Sequence, residues 1–397
     1  MKIIFDECID NVVNVLNKEK LFRYDCKIPE DSEVSCLEND FTKLTGFKYA
    51  VAMNSCSSAI FISLLCAGVR PGDKVMLPAF TFIAVPSSII HANAVPVLVD
   101  VDDNYVIDMG SLAEVYEKEN ANFLLLSHMR GRVANMDELL IFCNTHDIKL
   151  VEDCAHSLGV LWNGRQAGYH GIAASFSMQS YKMLDGGEGG VLCTNDMDVA
   201  IKSMLYAGCY ETNWSKHYLT EEGQKLANEL VNQLPAYNFR MSNLTAAAIR
   251  PQLKQLEDRI QKYNNNYDCF INILDESPYI RIPQFTTGSR PASDTCQFQI
   301  LTDNKEKIRE IIQNLEAQGI TLSVFGFSEK NARAFWRWGF CNFPEGKCNK
   351  TKNLLLNTAD IRLRLAWDKR EISRIANIIF ETIDSVLSRR APKVVSF

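Results

Sequence analysis

Two apolar periods take turns along the first half of the chain. Residues 1–20 place Ile9, Val12, Val13 and Leu16 at helical spacing, which predicts a first helix. After the polar, irregular stretch LFRYDCKIPEDSE, a second helix is expected at 34–45. KYAVAMN (48–54) reads as a strand running into NSCSSA and the apolar segment IFISLLCAG, with Gly68 as helix stop and PGD (71–73) as a turn. Strand-like runs then follow at 74–78, 94–102, 122–128 and 148–153, separated by helical stretches at 84–93, 110–118 and 136–147. Short apolar strands alternating with helices argue for parallel βαβ units. Two more strands, IAASFS (172–177) and GGVLCT (189–194), bring the sheet to seven.

Beyond residue 195 the pattern loosens. Residues 196–240 are more polar and predict a helix plus loops, whereas 243–274 carry long helical spacing with Pro251 as a kink. Pro278, Pro283 and Pro291 mark a linker, followed by CQFQILT, a helix at 304–318 and a last helix at 369–389. The expected division is a large domain over 1–255, then a bridging helix and small α+β domain over 256–397. No internal repeat is visible.

At 397 residues the chain is long enough for two such domains. A net charge of -6 without a basic stripe argues against a nucleic-acid partner. Charges break up the N-terminus, and no apolar run reaches the length of a membrane helix, so neither a signal peptide nor a span is expected. The 13 cysteines are scattered without a CxxC pair, which fits reduced thiols in a cytoplasmic protein. The 6 histidines show neither HxH nor HExxH spacing, so no metal site is expected.

The chemistry gathers around SFSMQSYKMLDGGEGG (175–190). Lys182 there faces KLVEDCAHSLG (149–159), a strand tipped by Asp153. Pyridoxal phosphate needs these groups: an amine for its aldehyde, a carboxylate for its ring nitrogen, and hydroxyls and amides for its phosphate. By itself Lys182 reads first as a solvated loop lysine, and it is the rest of the set that points to the cofactor. NSCSSA stands at a strand-to-helix junction, where backbone amides, the positive helix end, Ser57 and Ser58 can hold a phosphate; the same serines also serve as ordinary caps. Ser177 offers another phosphate ligand. Asp153 either pairs with a ring nitrogen or caps the next turn. His156 either reaches the cofactor's 3-oxygen, braces Asp153, or is structural. Phe82 either stacks on the ring or packs in the core. All lie at or just beyond strand ends, where α/β proteins bind ligands.

The stretches NSCSSAI, PGDKVMLPAFTFIA, AVPVLVDVD, VEDCAHSLG, SFSMQSYKMLDGGEGG and NFRMSNLTAAAIRPQL resemble the DegT/DnrJ/EryC1/StrS family of pyridoxal-phosphate-dependent sugar aminotransferases, over residues 45–255 and more loosely beyond. The resemblance implies an α/β fold of type I, with a mixed, mostly parallel seven-stranded sheet flanked by helices. It makes Lys182 the Schiff-base lysine and proton carrier, and it pairs Asp153 with the ring nitrogen. His156 then holds a place usually given to Gln or His, Phe82 stacks on the ring, and Ser57 and Ser177 bind phosphate. It implies an amino-acid donor such as L-glutamate, a keto-sugar acceptor, and a homodimer in which Asn238, with Arg240 nearby, reaches the neighbouring subunit's phosphate.

Three departures stand out. Cys56-Ser57 replaces the family's Gly-Thr in the phosphate turn. SHMRGRVANMDE (127–138) adds Arg130 and Arg132, either two solvated arginines or a grip on an acidic substrate group. LSVFGFSEKNARAFWRW (322–338), which includes Phe325, stands where many members carry a His-Tyr substrate segment. The last two departures resemble the subgroup that aminates the 8-keto form of the acid sugar Kdo, the Kdo8N transaminases. Three rivals remain in view: a sugar dehydratase of the same fold, whose branch replaces the lysine by histidine; a transaminase for a non-sugar carbonyl; and a non-catalytic regulator.

Overall fold

A computed structural model describes residues 3–327 and 330–389, which leaves Ser328 and Glu329 of the 322–338 segment outside the described residues. The chain packs as two units, one of residues 1–259 with 285–292, the other of 260–284 with 293–397.

In the larger unit, α1 (Asp6–Asn17) and α2 (Glu33–Thr45) precede β1 (Tyr49–Met53). Alternation then gives α3 (Cys56–Cys66), β2 (Lys74–Pro78), α4 (Ala84–His91), β3 (Val95–Val99), α5 (Met109–Glu119), β4 (Phe123–Ser127), α6 (Met136–Thr145) and β5 (Lys149–Asp153). β6 (Ala173–Ser177) and β7 (Gly190–Thr194) complete a seven-stranded sheet in the order β1-β7-β6-β5-β4-β2-β3. The five strands from β3 to β6 pair in parallel, while β7 runs antiparallel to both β6 and β1. β4, β6 and β7 are buried at every residue, which is why they read as unbroken apolar runs.

Side-chain caps fix where the helices start. Ser32, Ser55, Asp108 and Asn135 each accept from a backbone N–H in the first turn of α2, α3, α5 and α6. Residues 196–240 hold two helices rather than one, α7 (Met197–Ala207) and α8 (Glu221–Leu230). At Pro251 the expected long helix tightens into a 3-10 segment without leaving the helical path. α9 (Asn243–Ile249) passes into a 3-10 turn over Arg250–Gln255 before α10 (Leu256–Leu274) begins.

The smaller unit is built on a four-stranded antiparallel sheet. Its order is β8 (Ile280–Arg281), β9 (Thr295–Ile300), β11 (Thr358–Arg362), β10 (Ser323–Val324). Helices α11 (Lys305–Ala317), α12 (Asn349–Leu356) and α13 (Lys369–Ser388) accompany it, and α11 packs against α13.

Candidate active site

Three strand ends meet at Gly190. In register it pairs with Met53 of β1 on one side and Ser177 of β6 on the other. A Cβ at this position would lie 2.5 Å from the backbone of Ser55 and from the Cys56 nitrogen, so only glycine lets β7 begin against the turn into α3. In that turn Ser55 accepts from the Ser58 N–H at 3.1 Å, and Ser58 Oγ donates to Asn54 Oδ1 at 2.7 Å. Ser57 is exposed. Cys56 turns its side chain inward, where Sγ donates to the Ser175 carbonyl at 3.6 Å and burial pushes the thiol well above its ordinary range. Its thiol serves the core, so what Cys56 can offer a ligand is its backbone N–H at the start of α3.

Lys182 sits in the turn that leaves β6. Asp185 Oδ1 gathers this turn by accepting from Ser180 Oγ at 2.9 Å and from the Gly187 N–H at 2.8 Å. Gln252 brackets the Asp185 backbone, accepting from its N–H at 3.0 Å and donating to its carbonyl at 2.6 Å. Tyr181, immediately before the lysine, has φ +75° and is 68% exposed. Lys182 Nζ lies 2.9 Å from His156 Nε2. Ser177 Oγ accepts from the Gln179 N–H at 3.3 Å.

Asp153 ends β5, paired with Ser127 of β4 and Ser175 of β6. Its buried carboxylate accepts from Ser127 Oγ at 2.7 Å and from the Ala155 N–H at 3.0 Å. Burial pushes this carboxyl above the usual range, and the Ser127 hydroxyl, the Ala155 amide and the Lys182 charge oppose that push. Strand alternation sends the preceding Glu152 to the opposite face. There it meets His128 Nε2 at 2.7 Å and accepts from the His170 and Gly171 N–H groups at 3.0 and 2.5 Å. Burial disfavours the Glu152 charge, yet the His128 and Gly171 contacts outweigh it and hold the carboxyl below its ordinary value. Sequence reasoning missed Ser127, His128 and Glu152. The available signal was the dipeptide Ser-His ending one strand and Glu-Asp ending the next.

The other predicted residues divide. Phe82 is 42% exposed just past β2. Asn238 is exposed beside the phosphate-type turn, since the Asn54 N–H donates to the Phe239 carbonyl at 2.7 Å and Met53 bridges Arg240. Arg240 itself donates to the Gly208 carbonyl at 2.7 Å. Arg130 and Arg132 are both buried, which removes the solvated-arginine alternative. Arg130 follows β4 with φ +60°, and Arg132 lies 4.6 Å over the Phe285 ring. Phe325 is fully buried in the smaller unit, with Arg333 6.0 Å from its ring. It packs as a core residue there.

The architecture recurs in solved structures. The aminotransferase TlmJ from Streptoalloteichus hindustanus superposes with a TM-score of 0.81, covering 98% of this chain and 100% of that one at 18% identity. The fold is that of the type I pyridoxal-phosphate-dependent aminotransferases. The profile of the DegT/DnrJ/EryC1/StrS aminotransferase family matches residues 7–379. The chain belongs to that family, whose aminotransferases use pyridoxal phosphate. Among its curated relatives, GDP-perosamine synthase of Caulobacter vibrioides is 30% identical over 224 residues, 56% of this chain and 57% of the relative. The L-glutamine:scyllo-inosose aminotransferase of Streptomyces griseus is 38% identical over 164 residues, 41% of this chain and 38% of the relative. Both matches thus span less than two thirds of the relative's own length.

Proposed function

We propose that this protein is a sugar aminotransferase, moving the amino group of an amino acid to a keto-sugar with pyridoxal phosphate as carrier. The observation that supports this most directly is the 2.9 Å contact between Lys182 Nζ and His156 Nε2. It brings the amine of the glycine-rich turn to the loop that leaves Asp153.

The residues present fit the cofactor. The start of α3, against which Gly190 leaves no room for a side chain, offers the Cys56 and Ser57 amides and the Ser57 and Ser58 hydroxyls to a phosphate, with Ser177 across β7. Asp153 suits the ring nitrogen, Phe82 and His156 suit the ring, and Lys182 suits the aldehyde. When bound, the cofactor supplies a protonated pyridine ring that withdraws electrons from the reacting carbon. Lys182 Nζ moves the proton at the donor's α-carbon, and Asp153 keeps the ring proton in place.

The donor in this reading is L-glutamate, with L-glutamine the first rival because a relative carries that donor in its name. The acceptor is a keto-sugar, either nucleotide-linked or acidic, such as 8-keto-Kdo. Buried Arg130 and Arg132 at the end of β4 support the acidic form, since a guanidinium held out of water pairs strongly with a carboxylate. A second copy of the chain completes the site through Asn238. Exposed Phe22, Phe82, Tyr181 and Tyr210 support such a partner, whose presence sedimentation would reveal. Among the described residues no helix is long and apolar enough to cross a membrane, and the cytoplasm is the proposed location.

The test is direct. The protein loaded with pyridoxal phosphate is mixed with glutamate or glutamine, and release of the matching keto acid is followed. Keto-sugars, acidic ones first, are then offered to the aminated form. Keto-acid release followed by an aminated sugar supports the reading. A protein that takes up no pyridoxal phosphate sinks it.

A further inference from the structure

Asp153 is held differently from an ordinary strand-end carboxylate. Each of its oxygens has a neutral donor from the chain, Ser127 Oγ at 2.7 Å on Oδ2 and the Ala155 N–H at 3.0 Å on Oδ1. Both Ser127 and Asp153 are buried, so water competes little for either bond. The geometry is fixed from behind as well. The His128 N–H donates to the Asp153 carbonyl at 3.0 Å, and the buried His128–Glu152 contact at 2.7 Å ties the same two strand ends together on the other face. Glu152 in turn caps the 170–171 turn that leads into β6. Ser127 and Asp153 are therefore set opposite one another by register and by a second, independent bond.

We infer that Ser127 is a positioning residue for the cofactor: its hydroxyl holds Asp153 as an oriented anion, so that the proton between Asp153 and the ring nitrogen stays on the ring. This inference rests on the proposed cofactor site. Burial alone favours the neutral acid, and a neutral Asp153 would leave the ring unprotonated and a weaker electron sink. A hydroxyl donating to a carboxylate stabilises its charged form, and a fixed one spends no reorganisation when the cofactor enters. Ser127 touches neither the reacting atoms nor the cofactor in this scheme; it acts through Asp153.

The experiment compares wild type with Ser127→Ala and Ser127→Thr. Serine to alanine removes the hydroxyl with almost no change in volume, and threonine restores a donor. Each protein is loaded with pyridoxal phosphate labelled with 15N in the ring, and the ring-nitrogen resonance reports protonation without any turnover. Wild type is expected to show a protonated ring nitrogen. Ser127→Ala is expected to shift the resonance toward the unprotonated position and to slow keto-acid release about ten-fold, with KM for the donor little changed. Ser127→Thr is expected to keep the wild-type resonance. If Ser127→Ala keeps it too, the inference fails while the cofactor site stands. If wild type itself binds no pyridoxal phosphate, the proposed function fails with it.

Discussion

Glu38 takes two nitrogens of Arg23, at 2.9 and 3.0 Å, and both side chains are buried. The same carboxylate accepts from the Ala52 N–H of β1 at 2.8 Å and meets His217 Nδ1 at 3.2 Å, while His217 Nε2 meets the Tyr24 hydroxyl at 2.9 Å. The cluster joins the segment before α2 to the strand that delivers the serine turn. Removing one partner leaves a buried charge uncompensated, so Arg23→Met is expected to lower stability by about 3–5 kcal/mol, read from urea unfolding.

This cluster also sets an acid limit. Burial opposes the Glu38 charge, but Arg23 and His217 hold its carboxyl down to about 2 from the ordinary 4.5. Burial, followed by the Arg23 charge, lowers His217 from its ordinary 6.5. Both folded values lie below the unfolded ones, so each contribution is complete above the unfolded value and is lost as the pH falls. Tm is expected to start dropping below about pH 6.5, where the unfolded His217 takes up its proton. It should drop further between 4.5 and about 2 as Glu38 follows, a contribution of about 3 kcal/mol. Glu38→Gln should flatten the lower part of that curve; an unchanged slope there would assign the acid limit to other groups.

At the candidate site, Lys182→Ala is expected to release no keto acid from glutamate. Asp153→Asn, which keeps the shape and removes the charge, is expected to slow release about 1,000-fold. Circular dichroism should show both variants folded, because Lys182 lies in a turn and the asparagine side chain can still accept from Ser127.

Gly190→Ala tests the cradle. The added methyl has backbone within 2.5 Å, which cannot move aside as a side chain would. A loss of about 1–3 kcal/mol in stability is expected, together with weaker uptake of pyridoxal phosphate in a fluorescence titration.

Arg130→Lys addresses the acceptor. A lysine keeps the charge but loses the planar two-point grip, so KM for an acidic keto-sugar should rise on the order of ten-fold. An equal rise with an uncharged keto-sugar, bearing neither carboxylate nor phosphate, would place Arg130 in packing.

The alternation of short apolar runs and helical stretches made the order of the large sheet's elements readable, and Pro251 announced the 3-10 segment before α10. The placement of Lys182, Asp153 and the serine turn at or just past strand ends was readable too. Direction was not. An apolar run carries no arrow, so β7 and its antiparallel place between β1 and β6 came only from the structure. Cross-strand partners were equally hidden, since Ser127 finds Asp153 through register rather than spacing. The Arg23–Glu38–His217 cluster draws on three distant stretches that have no common pattern. The burial of Phe325 was hidden as well, since an aromatic in an irregular stretch carries no mark of whether it is covered.

The placement of β7 has a consequence for how the chain comes off the ribosome. β1 is an edge strand whose sheet partner is β7, with Tyr49 opposite Thr194 and Met53 opposite Gly190. While β2 to β5 are being made, β1 has α2 beside it but no neighbouring strand to pair with. The proposed phosphate end of the site is therefore finished only after residue 194 emerges. A nascent chain stopped before that point should carry much of the sheet yet fail to retain pyridoxal phosphate, and its unpaired first strand is where a holding chaperone would find it.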